Sequence, residues 1–129
     1  MRKVTIFIPC RPRSLNEIYA GTHWAKRKKE ADEIHRHVAV IVADMALEAF
    51  MGPVSISMTP TLGKGARARD CTNWSYALKL VEDGLVSAGL IPGDESDKVK
   101  RVTIEANVVD RKAPSGLWVT VAEYEEMST

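Results

Sequence analysis

Only two cysteines, Cys10 and Cys71, occur in the chain, far apart and outside any CxxC spacing. That excludes a thiolate zinc site and a disulfide framework, and leaves two free thiols. Long hydrophobic runs are also missing. No segment approaches the roughly 18 apolar residues of a membrane-spanning helix, and the apolar part of the opening MRKVTIFIPC is too short for a secretory signal. A soluble, cytoplasmic protein with no membrane partner is the expectation. Net charge is nearly absent too, at +1.

That small net charge hides a division. Residues 1–69 hold twelve Lys/Arg and six Asp/Glu, whereas residues 70–129 hold six and eleven. The sign changes just before Asp70. A basic arm followed by an acidic remainder suits a protein that holds a polyanion on one surface and a metal cation on another, although charges also simply solvate surfaces. With 129 residues, 45% of them apolar, the chain can bury one core, so a single domain over residues 1–129 is expected.

Taken in order, KVTIFIP (residues 3–9) alternates Val4, Ile6 and Ile8 against Thr5 and Phe7, which predicts a strand. RPRSLNEIYAGTHW follows as a loop and carries Arg11 and Arg13, which either meet phosphate or face solvent. From Trp24 to Phe50, Ile34, Val38, Ile41, Met45 and Ala49 form a helical stripe that Gly52-Pro53 is expected to end. Its first turns carry Lys26, Arg27, Lys28 and Lys29, a solvated helix end or a set of salt-sensitive DNA contacts. His35 and His37 stand two residues apart, point in different directions on a helix, and are expected at the surface rather than as a metal pair.

PVSISMTP (residues 53–60) alternates as a half-buried strand and leads into a loop with Gly63, Lys64, Gly65, Arg67 and Arg69. Asp70, Thr72 and Asn73 are helix-capping residue types placed before the stripe of Trp74, Ala77, Leu78, Val81, Leu85 and Ala88. That second helix is expected to end near Gly89. Trp74 reads as core. Lys79, with Glu82 and Asp83 at i+3 and i+4, reads first as a helix-surface ion pair worth about 0.2–0.5 kcal/mol. Pro92-Gly93 marks a turn, and Asp94, Glu95 and Asp97 crowd into it. A helix of about sixteen residues is roughly 24 Å long, so Asp94 reaches back toward Asp70 only if this loop folds over. Val99–Val109 and Leu117–Glu123 read as a final hairpin across DRKAPSG, with a frayed EEMST tail.

One run of residues carries a resemblance. Asp70-Cys71-Thr72-Asn73, Lys79, Asp83-Gly84-Leu85, Gly89 and Gly93-Asp94 follow one another in order, preceded by Ser14-Leu15-Asn16 and His23-Trp24. This resembles the RusA-type family of Holliday junction resolvases, especially phage-associated members. Their pattern is an aspartate, one spacer, Asp-Asn, a lysine, Asp-Gly-Leu or Asp-Ala-Leu, a glycine, and Asp-Asp. The resemblance runs nearly end to end.

The resemblance implies a crossover junction endodeoxyribonuclease that cleaves four-way DNA junctions as a homodimer, with Mg²⁺ as cofactor and Mn²⁺ as a substitute. Catalytic roles fall to Asp70, Lys79 and Asp94. Metal ligation falls to Asp70, Asp94 and Asp97. Thr72 departs from the pattern, which has a second aspartate there, so Asp83, Glu95 or Asp97 must supply the missing charge or activity is diminished. Gly93 likewise replaces the first member of the Asp-Asp pair. DNA contacts are expected from Arg11, Arg13, Lys26, Lys64, Arg67 and Arg69. The alternatives are a catalytically weakened branched-DNA-binding protein and a small α+β domain without a nucleic-acid role. The expected fold is a two-layer α+β domain, a four-stranded mixed sheet with two main helices in the order β-α-β-α-β-β.

Overall fold

The computed structural model describes residues 1–125, so the expected frayed tail lies, from residue 126 on, outside the described residues. Alternation builds β1 (Lys3–Pro9), with Ile6 and Ile8 buried. Ser14 then starts the short helix α1 (Leu15–Tyr19) with a capping box: its hydroxyl accepts from the Glu17 N–H, and the Glu17 carboxylate accepts from the Ser14 N–H. Helix α2 (Trp24–Asp44) buries Ile34 and Val38. Strand β2 (Val54–Leu62) is followed by a 3-10 turn (Cys71–Trp74), α3 (Ser75–Ser87), β3 (Val99–Ile104), β4 (Val108–Val109) and β5 (Gly116–Glu123). The α+β class and the order of the main elements are as expected. Trp74 is core, at 4% exposure.

Helix α2 ends six residues before the expected stop. Ala46 takes a left-handed backbone (φ 50°), the Ala46 N–H donates to the Ala43 carbonyl, and the Leu47 N–H donates to the Val42 carbonyl at 3.0 Å. This closing motif turns the chain so that Phe50 is buried and donates its N–H to the Leu90 carbonyl. Continuing the stripe instead would have carried Met45, which is half exposed, beyond the core. Helix α3 closes in the same way around Gly89 (φ 77°), with the Leu90 N–H on the Leu85 carbonyl.

Among the described residues the sheet has five strands. Its order is β1-β5-β2-β3, with β4 also on β2. Strands β1, β2, β3 and β4 run the same way, and β5 alone is antiparallel, inserted between β1 and β2. The expected hairpin between the last two strands is therefore wrong: β2 lies between them, because both β3 and β5 find better-buried partners on the apolar central strand than on each other. The expected single strand over Val99–Val109 is also broken. The break, at residues 105–107, falls opposite Pro60, which has no N–H to continue a ladder. Helices α2 and α3 cover one face of the sheet, where Val54, Ile56, Met58, Val119 and Val121 meet Ile34, Val38, Val81 and Leu85 in one core. Among the described residues, no helix is long and apolar enough to cross a membrane.

Candidate functional site

The crossing from β4 to β5 shapes the basic loop. To reach its place beyond β2, the connection 110–115 passes over the end of that strand, and the start of the loop is pinned beneath it. The Gly63 N–H donates to Ser115 Oγ at 2.9 Å, and Arg111 Nη1 donates to the carbonyls of Gly63 and Ala66 at 2.5 and 2.8 Å. A Cβ at Gly63 would collide with the Ala113 carbonyl, so glycine allows this close approach. From the other side, the Arg11 guanidinium donates to the Lys64 carbonyl.

This loop bounds a cavity of about 630 Å³, lined by Arg11, Arg67, Arg69, Asp70, Asn73 and Trp74, with Ser14 and Glu17 of α1. Asp70 precedes the 3-10 turn but makes no side-chain cap; only its carbonyl is engaged, accepting from the Asn73 N–H at 2.9 Å. Capping, the ordinary explanation for an aspartate here, does not apply to its exposed carboxylate. Arg69 lies with its guanidinium 4.2 Å over the Trp74 ring, and burial lowers its pKa.

A second cluster forms on α3. The turn after Gly89 buries Leu90 and Ile91 and folds the acidic loop back along the helix. Asp94 is thereby brought to Lys79, with Nζ at 2.8 Å from its Oδ2, 3.1 Å from Asp83 and 3.5 Å from Glu82. Hydrogen bonding to Asp94 and then Asp83 raises the Lys79 pKa, and the same Lys79 bond lowers that of Asp94. Glu82 moves the other way, raised chiefly by burial. Oxygen atoms of Glu82, Asp83 and Asp94 lie within 4.8 Å of one another, the one group among the described residues spaced to hold a metal ion.

The expected residues thus divide between two places. Lys79 and Asp94 come together; Asp70 lies in the arginine cavity and outside the three-carboxylate group. Asp97 is not in that group either, being 73% exposed with Lys98 at 4.0 Å. Of the three acids considered for the charge that Thr72 lacks, Asp83 is the one placed beside Asp94. Glu95 serves differently: its carboxylate fills the space that a side chain at Gly93 would take.

Among the expected DNA-contacting cations, Lys26, Lys64 and Arg67 are exposed. Arg13 is not free: its guanidinium pairs with Glu30 at 3.1 Å and its N–H donates to the same carboxylate. Arg11 is spent partly on the Lys64 carbonyl. His35 is half-buried rather than fully exposed: its Nε2 is buried, and its ring packs where Gly84 of α3 has no side chain. Sequence reasoning missed Glu82 as a third carboxylate, although its i+3 spacing from Lys79 was legible. It also missed Arg111, Ser115 and Asn107, which come to the loop from 38 to 52 residues away with no local signal. The chain matches no protein-family model and no curated protein, so a functional reading rests on this geometry and on the motif order.

Proposed function

We propose that this protein is a metal-dependent, structure-selective endodeoxyribonuclease acting on four-way DNA junctions. The observation that carries the reading is the convergence of Glu82, Asp83 and Asp94 on Lys79, from a helix and a loop that folds back onto it. The donor set fits Mg²⁺ or Mn²⁺. All three side chains offer hard oxygen ligands, and their 4.8 Å limit of separation is close to the about 4.2 Å across an octahedron of about 2.1 Å bonds. Such an ion, when bound, supplies positive charge that stabilises a phosphodiester oxyanion.

The chain's own residues supply the rest. Arg67 and Arg69 line the cavity and attract the DNA backbone, and Asp70 lies between this basic wall and the start of α3. Lys79 now neutralises the carboxylates. Turned away from them, its ammonium meets the charge that builds on a phosphate under attack. Two symmetrical cuts call for two such sites, which a twofold homodimer provides.

A second reading, a protein that holds branched DNA without cutting it, draws on Thr72 and on Lys79 lying where a cation would lie. A nicking assay on synthetic four-way junctions, with and without Mg²⁺, separates the two. Cutting that needs metal and falls at least about 100-fold in Asp83→Asn and Asp94→Asn supports the nuclease, whereas undiminished cutting by both variants sinks it. Binding without cutting, with activity restored by Thr72→Asp, favours the second reading.

A further inference from the structure

The break between β3 and β4 places one residue against the arginine cavity from behind. Asn107 stands in the interruption opposite Pro60, and its Oδ1 accepts two hydrogen bonds. One comes from the Arg69 backbone N–H at 3.0 Å, the other from the Trp74 indole Nε1–H at 2.9 Å. The Arg69 guanidinium lies over that same indole at 4.2 Å. A single amide oxygen therefore holds both the backbone of the arginine and the ring it rests on. Arg69 Nη1 is buried and has no hydrogen-bond partner among the described residues. A buried guanidinium N–H left unpaired is costly, and a charge-assisted bond to an anion oxygen would offset that cost.

We infer that Asn107 is a positioning residue, which holds Arg69 against Trp74 so that its guanidinium meets one phosphate of a bound DNA strand. The identity of the anion rests on the DNA reading above; the positioning role rests on the hydrogen bonds. Alanine at 107 removes the one oxygen that accepts both hydrogen bonds and frees the guanidinium to swing. Aspartate retains an oxygen for both donors.

The test is equilibrium binding of a four-way junction in EDTA, where cutting does not enter, across 50–200 mM salt. Each phosphate contact contributes about 0.9 to the slope of log affinity against log salt. Asn107→Ala and Arg69→Ala are each expected to lower the slope by about that amount, the double variant no further, and Asn107→Asp not at all. Should Asn107→Ala fail to fold by circular dichroism, Asn107→Ser, too short to span both donors, is expected to show the same loss. A folded Asn107→Ala or Asn107→Ser with the wild-type slope overturns the inference. So does a further loss in the double variant, or a wild type without salt-dependent binding. Wild-type binding with the expected slopes but no nicking in Mg²⁺ defeats only the nuclease reading. Nicking with an unchanged Asn107→Ala slope defeats only the positioning role.

Discussion

At the scale of single residues, charge and burial pull neighbouring carboxylates apart. Asp94 bonds Lys79 and is held below its ordinary value of 3.8, whereas burial lifts Glu82 above 4.5. On acidification Glu82 should therefore take a proton before Asp94 does. The stabilising part of the Asp94 bond is present above 3.8 and lost only as pH falls through its lower folded value. Lys79, raised above 10.5 by the same carboxylate bonds, contributes while those carboxylates are ionised and loses that contribution as pH rises through its raised folded value. Carboxyl carbon-13 NMR checks the order, and Asp94 titrating above Glu82 would contradict it. The i+3 and i+4 partners of Lys79 were legible from spacing because a helix fixes them. Asp94 was not, because its approach depends on how the loop after Gly89 turns.

At the scale of elements, the two long helices end in one motif with different residues. Gly89 takes the left-handed position after α3 at no steric cost, but Ala46 takes it after α2 with a Cβ that opposes it. Ala46→Gly should stabilise the protein by about 0.5–1 kcal/mol, read as a higher urea midpoint with an unchanged slope. A lower midpoint would mean that the left-handed turn carries no strain. This also explains why Gly89 announced its helix end in the sequence and Ala46 did not. Periodicity ran on through Ile41, Met45 and Ala49, and only the need to bury Phe50 stopped the helix. Strand β2 shows the same limit. Its alternation was readable from Val54, whereas its role as the shared partner of β3, β4 and β5 was not.

Across the whole molecule, the fold is closed by pairing its first and last strands, Lys3 with Ala122 through Pro9 with Gly116. Pairing at such sequence separation forms late and slowly. Gly116 sits where this closure is tightest: a Cβ there would meet the Phe7 ring and come within 2.5 Å of the Ile8 carbonyl. Gly116→Ala should cost about 1–3 kcal/mol as β1 and β5 are forced apart, measurable by urea unfolding. An unchanged midpoint would show that the strands part without penalty. The same crossing into β5 lays residues 110–115 over Gly63, so the closure of the sheet and the shape of the basic loop are one event.

By itself the sequence determined the α+β class, the strand over residues 3–9, the two main helices, the acidic pair beside Lys79 and the motif order that suggests a junction nuclease. These depend on periods of two and 3.6 residues and on short-range chemistry. Only the tertiary structure decided that β5 enters between β1 and β2, that Asp94 folds back to Lys79 while Asp70 joins the arginine cavity, and that Arg13 is neutralised by Glu30. It also decided that Asn107, Arg111 and Ser115 hold the loop from Lys64 to Arg69. The physical reason is that each of these contacts joins residues far apart in the chain, and packing around a shared central strand selects among partners that local pattern leaves equivalent.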